Sequence, residues 1–365
     1  MSIPKSKHRI EILDGFRTIA ILSVILFHFL SRYANMGYYP YGIKYDFFSY
    51  GSLGVHFFFI ISGFVISFTL ENTSTFVDFW KRRFIRLYPS MIIASVLIFL
   101  FMSLFDKKRL FENAHELKNF IPSISFLPPA IFKNLASSEW TKNLNYLNLS
   151  FWSLWPEIQF YFVSSILYFF SKEKFIRNLS ITAIVIMFMY LLSTQLGFLN
   201  HKYTVFVKIF TFAFSVGRYI SYFILGALFF ELFKRKQSNE VSSPRINIAF
   251  FCFIVIHFSI TTNHNIATIL VNIGMLILFG LFIYYPKYIR FLENKYVIEI
   301  GLSSYFLYLI HEPIGVMLIN GYAKYFQPFE FLFIILLITA LCIVSVLYYK
   351  KIEKKLTKLL YLYFF

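Results

Sequence analysis

Charge is what this sequence has least of. Asp, Glu, Lys and Arg make up 15% of its 365 residues, where soluble domains carry about 25%, and with a mean hydropathy of +0.65 this excludes a cytosolic enzyme. Acidic residues are the scarcer sign, 18 against 35 Lys and Arg. An excess of that kind suits nucleic acid when the cations form one face, but here they lie at the ends of apolar runs, as membrane topology requires. Cysteine is almost missing. Cys252 and Cys342 both sit inside apolar stretches, so no disulfide framework and no cysteine metal site is readable, and no metal is expected. No small-residue cleavage site follows the first apolar stretch, Leu13 to Leu30, which carries charges within it and reads as a retained helix rather than a signal peptide. Internal repeats, low-complexity tracts and an appended soluble domain are also missing, so residues 1–365 are expected to form one transmembrane unit.

What remains is hydrocarbon: 58% of residues are hydrophobic and 22% aromatic. Runs long enough to cross about 30 Å of bilayer predict an all-α integral membrane protein. Ten helices are expected near 16–34, 50–70, 84–105, 150–171, 179–198, 208–232, 246–262, 266–285, 298–318 and 328–349. Alternate connections differ in charge, and those on the N-terminal side hold twice as many Lys and Arg as those opposite, Lys81, Arg82, Arg83 and Arg86 among them. By the positive-inside rule both termini are cytoplasmic. The one long connection, about 106–149, is then extracytoplasmic. Its apolar patches, Phe120 to Phe126 and Leu127 to Ile131, predict that it folds over the outer mouth. Most of the 50 Phe and 26 Tyr are assigned to lipid-facing bulk and interface belts.

An ionisable side chain inside a span is costly and by default faces a cavity or a partner. Asp14, Arg17, His28, His56, Glu157, Arg218 and His311 qualify. At about 1.5 Å per residue, His28 lies roughly 18 Å and His311 roughly 20 Å from the inner ends of their helices, while His56 and Glu157 enter about 9–10 Å from outside. Four titratable groups from four helices are thus expected at one depth. Arg17 and His28, eleven residues apart, share a helix face about 16 Å apart, and Asp14 is placed to pair with Arg17. A donor with an anionic head and a long arm fits that spacing, phosphates on Arg17 and reactive end beside His28. An acyl-CoA has this shape, and neutral imidazole serves as general base or as acyl-accepting nucleophile.

Five segments in order then resemble one family. Leu13-Asp-Gly-Phe-Arg17 with His28 is similar to the Arg-x10-His first helix of the acyltransferase family 3 membrane proteins. Gly54 to Phe64 resembles the Phe-Phe-x-x-Ser-Gly-Phe second helix, and Arg83 with Arg86 the Arg-x-x-Arg start of the third. Trp152-Ser-Leu-Trp-Pro-Glu157 resembles the Trp-Ser-Leu-x-x-Glu block, with Pro156 as the departure, and Gly301 to His311 the late Ser-Tyr-x-x-Tyr-Leu-x-His helix. The resemblance implies a multi-pass enzyme of the bacterial cytoplasmic membrane. It would take acetyl from cytoplasmic acetyl-CoA to a hydroxyl of a lipid-linked or surface glycan such as O-antigen, capsule or exopolysaccharide. Some family members carry a C-terminal esterase-like domain; without one, this chain is expected to act alone or to pass the acyl group to a separate protein.

His28, Glu157 and His311 are the catalytic candidates. Arg17, Arg83, Arg86 and Asp14 are the donor-binding set, Arg forks matching phosphate. His56, Arg218, Trp152 and Ser153 are substrate-contact or structural polar positions. Glu157 has three open roles: orienting the imidazole, accepting the hydroxyl, or pairing with Arg218. His311 precedes Glu312-Pro313, a helix-break signal. Ser62-Gly63 reads as close helix packing rather than a nucleophile, and His8, His115, His201, His257 and His264 are placed in loops or at span ends with no role. The competing class is a transporter or flippase of glycan or proton-coupled solute, since buried His, Glu and Arg also describe a proton relay. The Arg-x10-His register with an inner arginine pair favours the enzyme.

Overall fold

The computed structural model describes residues 9–39, 45–135, 138–199, 210–240, 244–261 and 265–365. Lys5, Lys7, His8, Lys44, His201, Lys202, Lys208 and His264 lie outside the described residues. Among those described, every regular element is helical. Helices overlap each of the ten expected positions, the sixth starting at Ile220 after a 3-10 turn, Ser215–Arg218, rather than near residue 208: α1 (Glu11–Phe27, continued to Asn35), α2 (Gly54–Glu71), α3 (Phe76–Phe105), α4 (Leu154–Phe170), α5 (Phe175–Leu199), α6 (Ile220–Gln237), α7 (Pro244–Thr261), α8 (Ile266–Tyr284), α9 (Lys295–Tyr322) and α10 (Glu330–Tyr348). An eleventh, α11 (Lys354–Phe364), continues α10 through a π-helical turn. By length and apolarity seven of the segments described are able to cross a bilayer, and the chain is a multi-pass membrane protein; α4, α6 and α7 are shorter or more polar.

α1, α2 and α9 form the centre. α2 lies against α6 because both supply glycine at the crossing: a Cβ on Gly63 would overlap the Phe223 carbonyl, and one on Gly226 the Ile60 carbonyl. α1 meets α9 equally closely, Gly301 facing the backbone of Asp14. The packing expected of Ser62-Gly63 is thus present.

Three local outcomes refine the sequence reading. α3 begins at Phe76 rather than near residue 84, its start capped by Thr75, whose hydroxyl accepts the Asp78 N–H at 3.1 Å. The cations Lys81 to Arg86 are therefore on the helix itself. Pro156 occupies the first turn of α4, where no N–H is required. Pro313 does not break α9: the N–H it lacks would have bonded the Leu309 carbonyl, and the Asn148 amide donates there instead at 2.8 Å.

The 106–149 connection is a folded layer. Asp106 accepts the N–H groups of Leu110 (2.8 Å) and Phe111 (2.9 Å), and Asn119 and Ser123 accept those of Asn145 (2.8 Å) and Leu147 (2.9 Å). Phe111 packs on Tyr33 of the α1 extension at 5.7 Å, which seats the layer on the bundle end nearest His28.

Candidate active site

α1 winds regularly to Phe27 and then opens into a π-helical turn, His28–Arg32. Such turns cost helix stability and concentrate at functional sites. His28 is its first residue, 4% exposed, and faces α9, where His311 and Glu312 are fully buried. His28 Nδ1 lies 2.8 Å from His311 Nε2 and the two rings stack at 5.0 Å. His311 Nδ1 is 2.8 Å from the Tyr308 carbonyl, which can only accept. His311 therefore keeps its proton on Nδ1 and accepts at Nε2, His28 Nδ1 donates, and Nε2 of a neutral His28 is left with its lone pair.

Glu312 backs this pair. One carboxylate oxygen is 3.8 Å from His28 Nε2 and accepts the Tyr33 hydroxyl at 2.6 Å; the other accepts the Ser150 N–H at 2.9 Å and the Ser150 hydroxyl. A buried carboxylate is tolerated only when its lone pairs are used, and here they are. Tyr308 ties the centre to α4: its hydroxyl lies 2.8 Å from Ser153 Oγ and 2.8 Å from the Ser150 carbonyl.

Beside this centre runs a cavity of about 110 Å³ lined at one end by Arg17, Arg83 and Arg86 and further on by Ser62, Glu157, Tyr161, Ser153 and Tyr308. Arg17 holds Asp14 at 2.7 Å, the pairing expected, and Asp14 also holds Arg9. Arg86 pairs at 2.6 Å with Glu353 of the turn before α11, a partner not foreseen. Arg83 is bonded to Thr69 Oγ1 at 3.2 Å and lies over the rings of Phe79 and Tyr161; among the described residues it has no carboxylate partner, and its buried Nε has no hydrogen-bond partner. Three guanidiniums converging on one cavity, one without a counter-ion, suit the phosphates of a CoA donor.

The four groups expected at one depth separate into three places. His28 and His311 are in contact. Glu157 instead faces the cavity, one oxygen accepting from Ser62 (2.8 Å) and Tyr161 (2.6 Å); it is not the partner of Arg218, which is exposed at the start of α6 over the ring of Tyr219. His56 stacks on Tyr222 of α6 at 4.5 Å. His257, placed at a span end by sequence, is 1% exposed inside α7, with Ser221 Oγ at 3.1 Å and Asn272 Oδ1 at 3.2 Å. Glu312, Tyr33, Ser150 and Tyr308 are the functional candidates that sequence reasoning missed. Two carried a signal: Glu312, an acid one residue from His311 within a span, and Tyr308, the second Tyr of the Ser-Tyr-x-x-Tyr-Leu-x-His motif.

No solved structure matches the chain. O-acetyltransferase OatA of Staphylococcus aureus is 24% identical over 95% of this chain, which spans 57% of that protein's length. Putative peptidoglycan O-acetyltransferase YrhL of Bacillus subtilis is 30% identical over 41% of the chain and 22% of its own length, and acyltransferase MdmB of Streptomyces mycarofaciens is 40% identical over 13% and 14%. The family model described as Acyltransferase domain matches residues 10–350, and the chain belongs to the acyltransferase family 3 proteins.

Proposed function

We propose that this chain is a membrane O-acetyltransferase that moves an acetyl group from cytoplasmic acetyl-CoA to a hydroxyl of an extracytoplasmic or lipid-linked glycan. The observation that carries the reading is the buried His28–His311 pair backed by Glu312, one side chain, Tyr308, away from a cavity whose other end holds Arg17, Arg83 and Arg86. On this reading the chain crosses the bacterial cytoplasmic membrane ten times with both termini inside, the arginines lie at the cytoplasmic surface and the 106–149 layer lies outside, as the charge asymmetry of the connections supports. The name of the OatA relative supports O-acetylation, and that of YrhL, a putative peptidoglycan O-acetyltransferase, supports a cell-envelope glycan with peptidoglycan among the acceptors.

In this scheme the arginines hold the CoA phosphates and the pantetheine arm runs along the cavity toward Tyr308. His28 Nε2 takes the proton of the acceptor hydroxyl as its oxygen attacks the thioester carbonyl; the C–S bond breaks and the imidazolium returns the proton to the leaving thiolate. The positive charge on His28 forms 3.8 Å from Glu312, where the carboxylate stabilises it in a water-poor site. His311, fixed by the Tyr308 carbonyl, holds the imidazole in its reactive tautomer. Ser62 donates to Glu157 and is not the nucleophile.

The experiment is acetyl-CoA consumption by protein purified in nanodiscs, together with NMR of the cell-envelope glycan from the host with and without the chain. Acetyl-CoA turnover and loss of O-acetyl signals on deletion are expected. A protein that leaves acetyl-CoA intact while moving glycan or protons across vesicles overturns the enzyme reading in favour of a transporter.

A further inference from the structure

The Trp152–Glu157 block does more than deliver Glu157 to the cavity. Its first residue, Trp152, is 37% exposed at the outer end of the bundle and packs on Tyr219 at 5.4 Å with the rings tilted by 42°. Tyr219 in turn packs on Phe59 at 5.3 Å and on His56 at 5.6 Å. Phe59, Ser153 and Leu154 line the cavity, so the aromatic pair stands on the cavity's rim. The guanidinium of Arg218 lies over the Tyr219 ring, 5.5 Å from its centre; the residue is exposed and, among the described residues, has no carboxylate partner.

Aromatic residues at a membrane interface usually face lipid singly. These are held in place by α4. Gln159, half a turn beyond Glu157, donates to the carbonyls of Phe212 (3.1 Å) and Ala213 (2.6 Å) and accepts from the Ser215 hydroxyl (2.8 Å) and the Val216 N–H (3.0 Å), while the Trp155 indole donates to the Phe212 carbonyl at 3.2 Å. The helix that carries Glu157 therefore also fixes the segment that carries Arg218 and Tyr219. A platform so fixed loses little freedom on binding, the property that distinguishes a built subsite from a belt residue.

We propose that Trp152, Tyr219 and Arg218 form an acceptor subsite selective for an acidic saccharide. The apolar C–H face of a pyranose lies on the two rings, a carboxylate on the sugar engages the guanidinium fork, and the neighbouring residue of the chain is presented to the cavity. This rests on the acetyltransferase reading for its purpose, but not for its test.

Binding is measured by calorimetry on the full chain in nanodiscs without acetyl-CoA, using a hyaluronan tetrasaccharide, which alternates glucuronate with N-acetylglucosamine, and neutral chitotetraose. The acidic sugar should bind about tenfold more tightly, the worth of one partly solvated charge-assisted contact. Arg218→Gln should bring the two within twofold while leaving chitotetraose affinity unchanged, Arg218→Lys should restore part of the preference, and Trp152→Ala should weaken both sugars. Equal binding by the unaltered protein, or a preference that survives Arg218→Gln, overturns the proposal. So does inorganic pyrophosphate competing as well as the acidic sugar, which would assign Arg218 to a lipid-linked pyrophosphate. Acetyl-CoA turnover measured in parallel separates the two readings: turnover without acidic preference removes this subsite alone, and preference without turnover removes the acetyltransferase reading alone.

Discussion

Replacing Glu312 by Gln keeps the shape of the centre and removes its charge. The carboxylate oxygen nearest His28 is 3.8 Å from Nε2, and both residues are buried. At an effective dielectric of about 20, a unit charge pair at that distance is worth about 4 kcal/mol. That stabilisation exists only once His28 has taken a proton, so its loss falls on the transition state, and at about 1.36 kcal/mol per decade the full value corresponds to roughly 10³ in rate. Relaxation of neighbouring dipoles reduces this, and the expected fall in kcat is about 10²–10³. The Michaelis constant for acetyl-CoA should stay within about twofold, because the arginines proposed to hold the donor are not touched. Thermal stability should also decline, since Gln offers one acceptor oxygen where the carboxylate uses two, one for Tyr33 and one for Ser150. Rates are therefore taken on the folded fraction, by stopped-time transfer of labelled acetyl to glycan. Tyr33→Phe is the companion variant: it deletes one hydrogen bond to Glu312 and keeps the charge, so its kcat should fall only about tenfold. A folded Glu312→Gln protein with kcat within threefold of the unaltered chain refutes the reasoning.

Changing Arg83 and Arg86 together to Gln should weaken CoA binding at least tenfold, read by calorimetry; because Arg86 pairs with Glu353, the variant is made with Glu353→Gln to avoid stranding a buried carboxylate. Wild-type CoA affinity in that protein removes the phosphate assignment. Gly63→Ala should force α2 and α6 apart at the Phe223 carbonyl and lower the thermal midpoint by about 1–4 °C, as overpacking of about 1–3 kcal/mol predicts. Exchange of the 106–149 layer for that of a relative with a different acceptor should change which glycan is acetylated, and a well-expressed chimera of unchanged specificity moves acceptor choice into the bundle.

Helix positions were legible because lipid demands long apolar runs, and the Asp14–Arg17 pair because spacing on one helix fixes proximity. Position along a helix, however, says nothing about azimuth. His56 and Glu157 were expected at the depth of His28 and His311, yet the one turns toward Tyr222 of α6 and the other toward Ser62 and Tyr161. Tyr33, Asn148 and Ser150 are neutral, so no cost of burial singles them out in a sequence, and their meeting with α9 depends on how the 106–149 layer folds back. Glu353 was hidden among Lys350, Lys351, Lys354 and Lys355; the π-helical turn between α10 and α11 is what brings it to Arg86. Glu312 was the avoidable omission, since the rule that picked out His311 applies equally to an acid beside it.

The central claim is that His28 performs the transfer while the arginines hold the donor. The direct measurement is acetylation of glycan by His28→Ala in nanodiscs, with CoA binding measured on the same preparation. Loss of a general base lowers the rate by about 10²–10⁴, and loss of a covalent carrier abolishes it; CoA affinity, held about 16 Å away, should stay within threefold. Label on His28 after incubating the unaltered chain with labelled acetyl-CoA and no acceptor identifies a carrier, and its absence under full turnover identifies direct transfer. Glycan acetylated at the unaltered rate by His28→Ala contradicts the account.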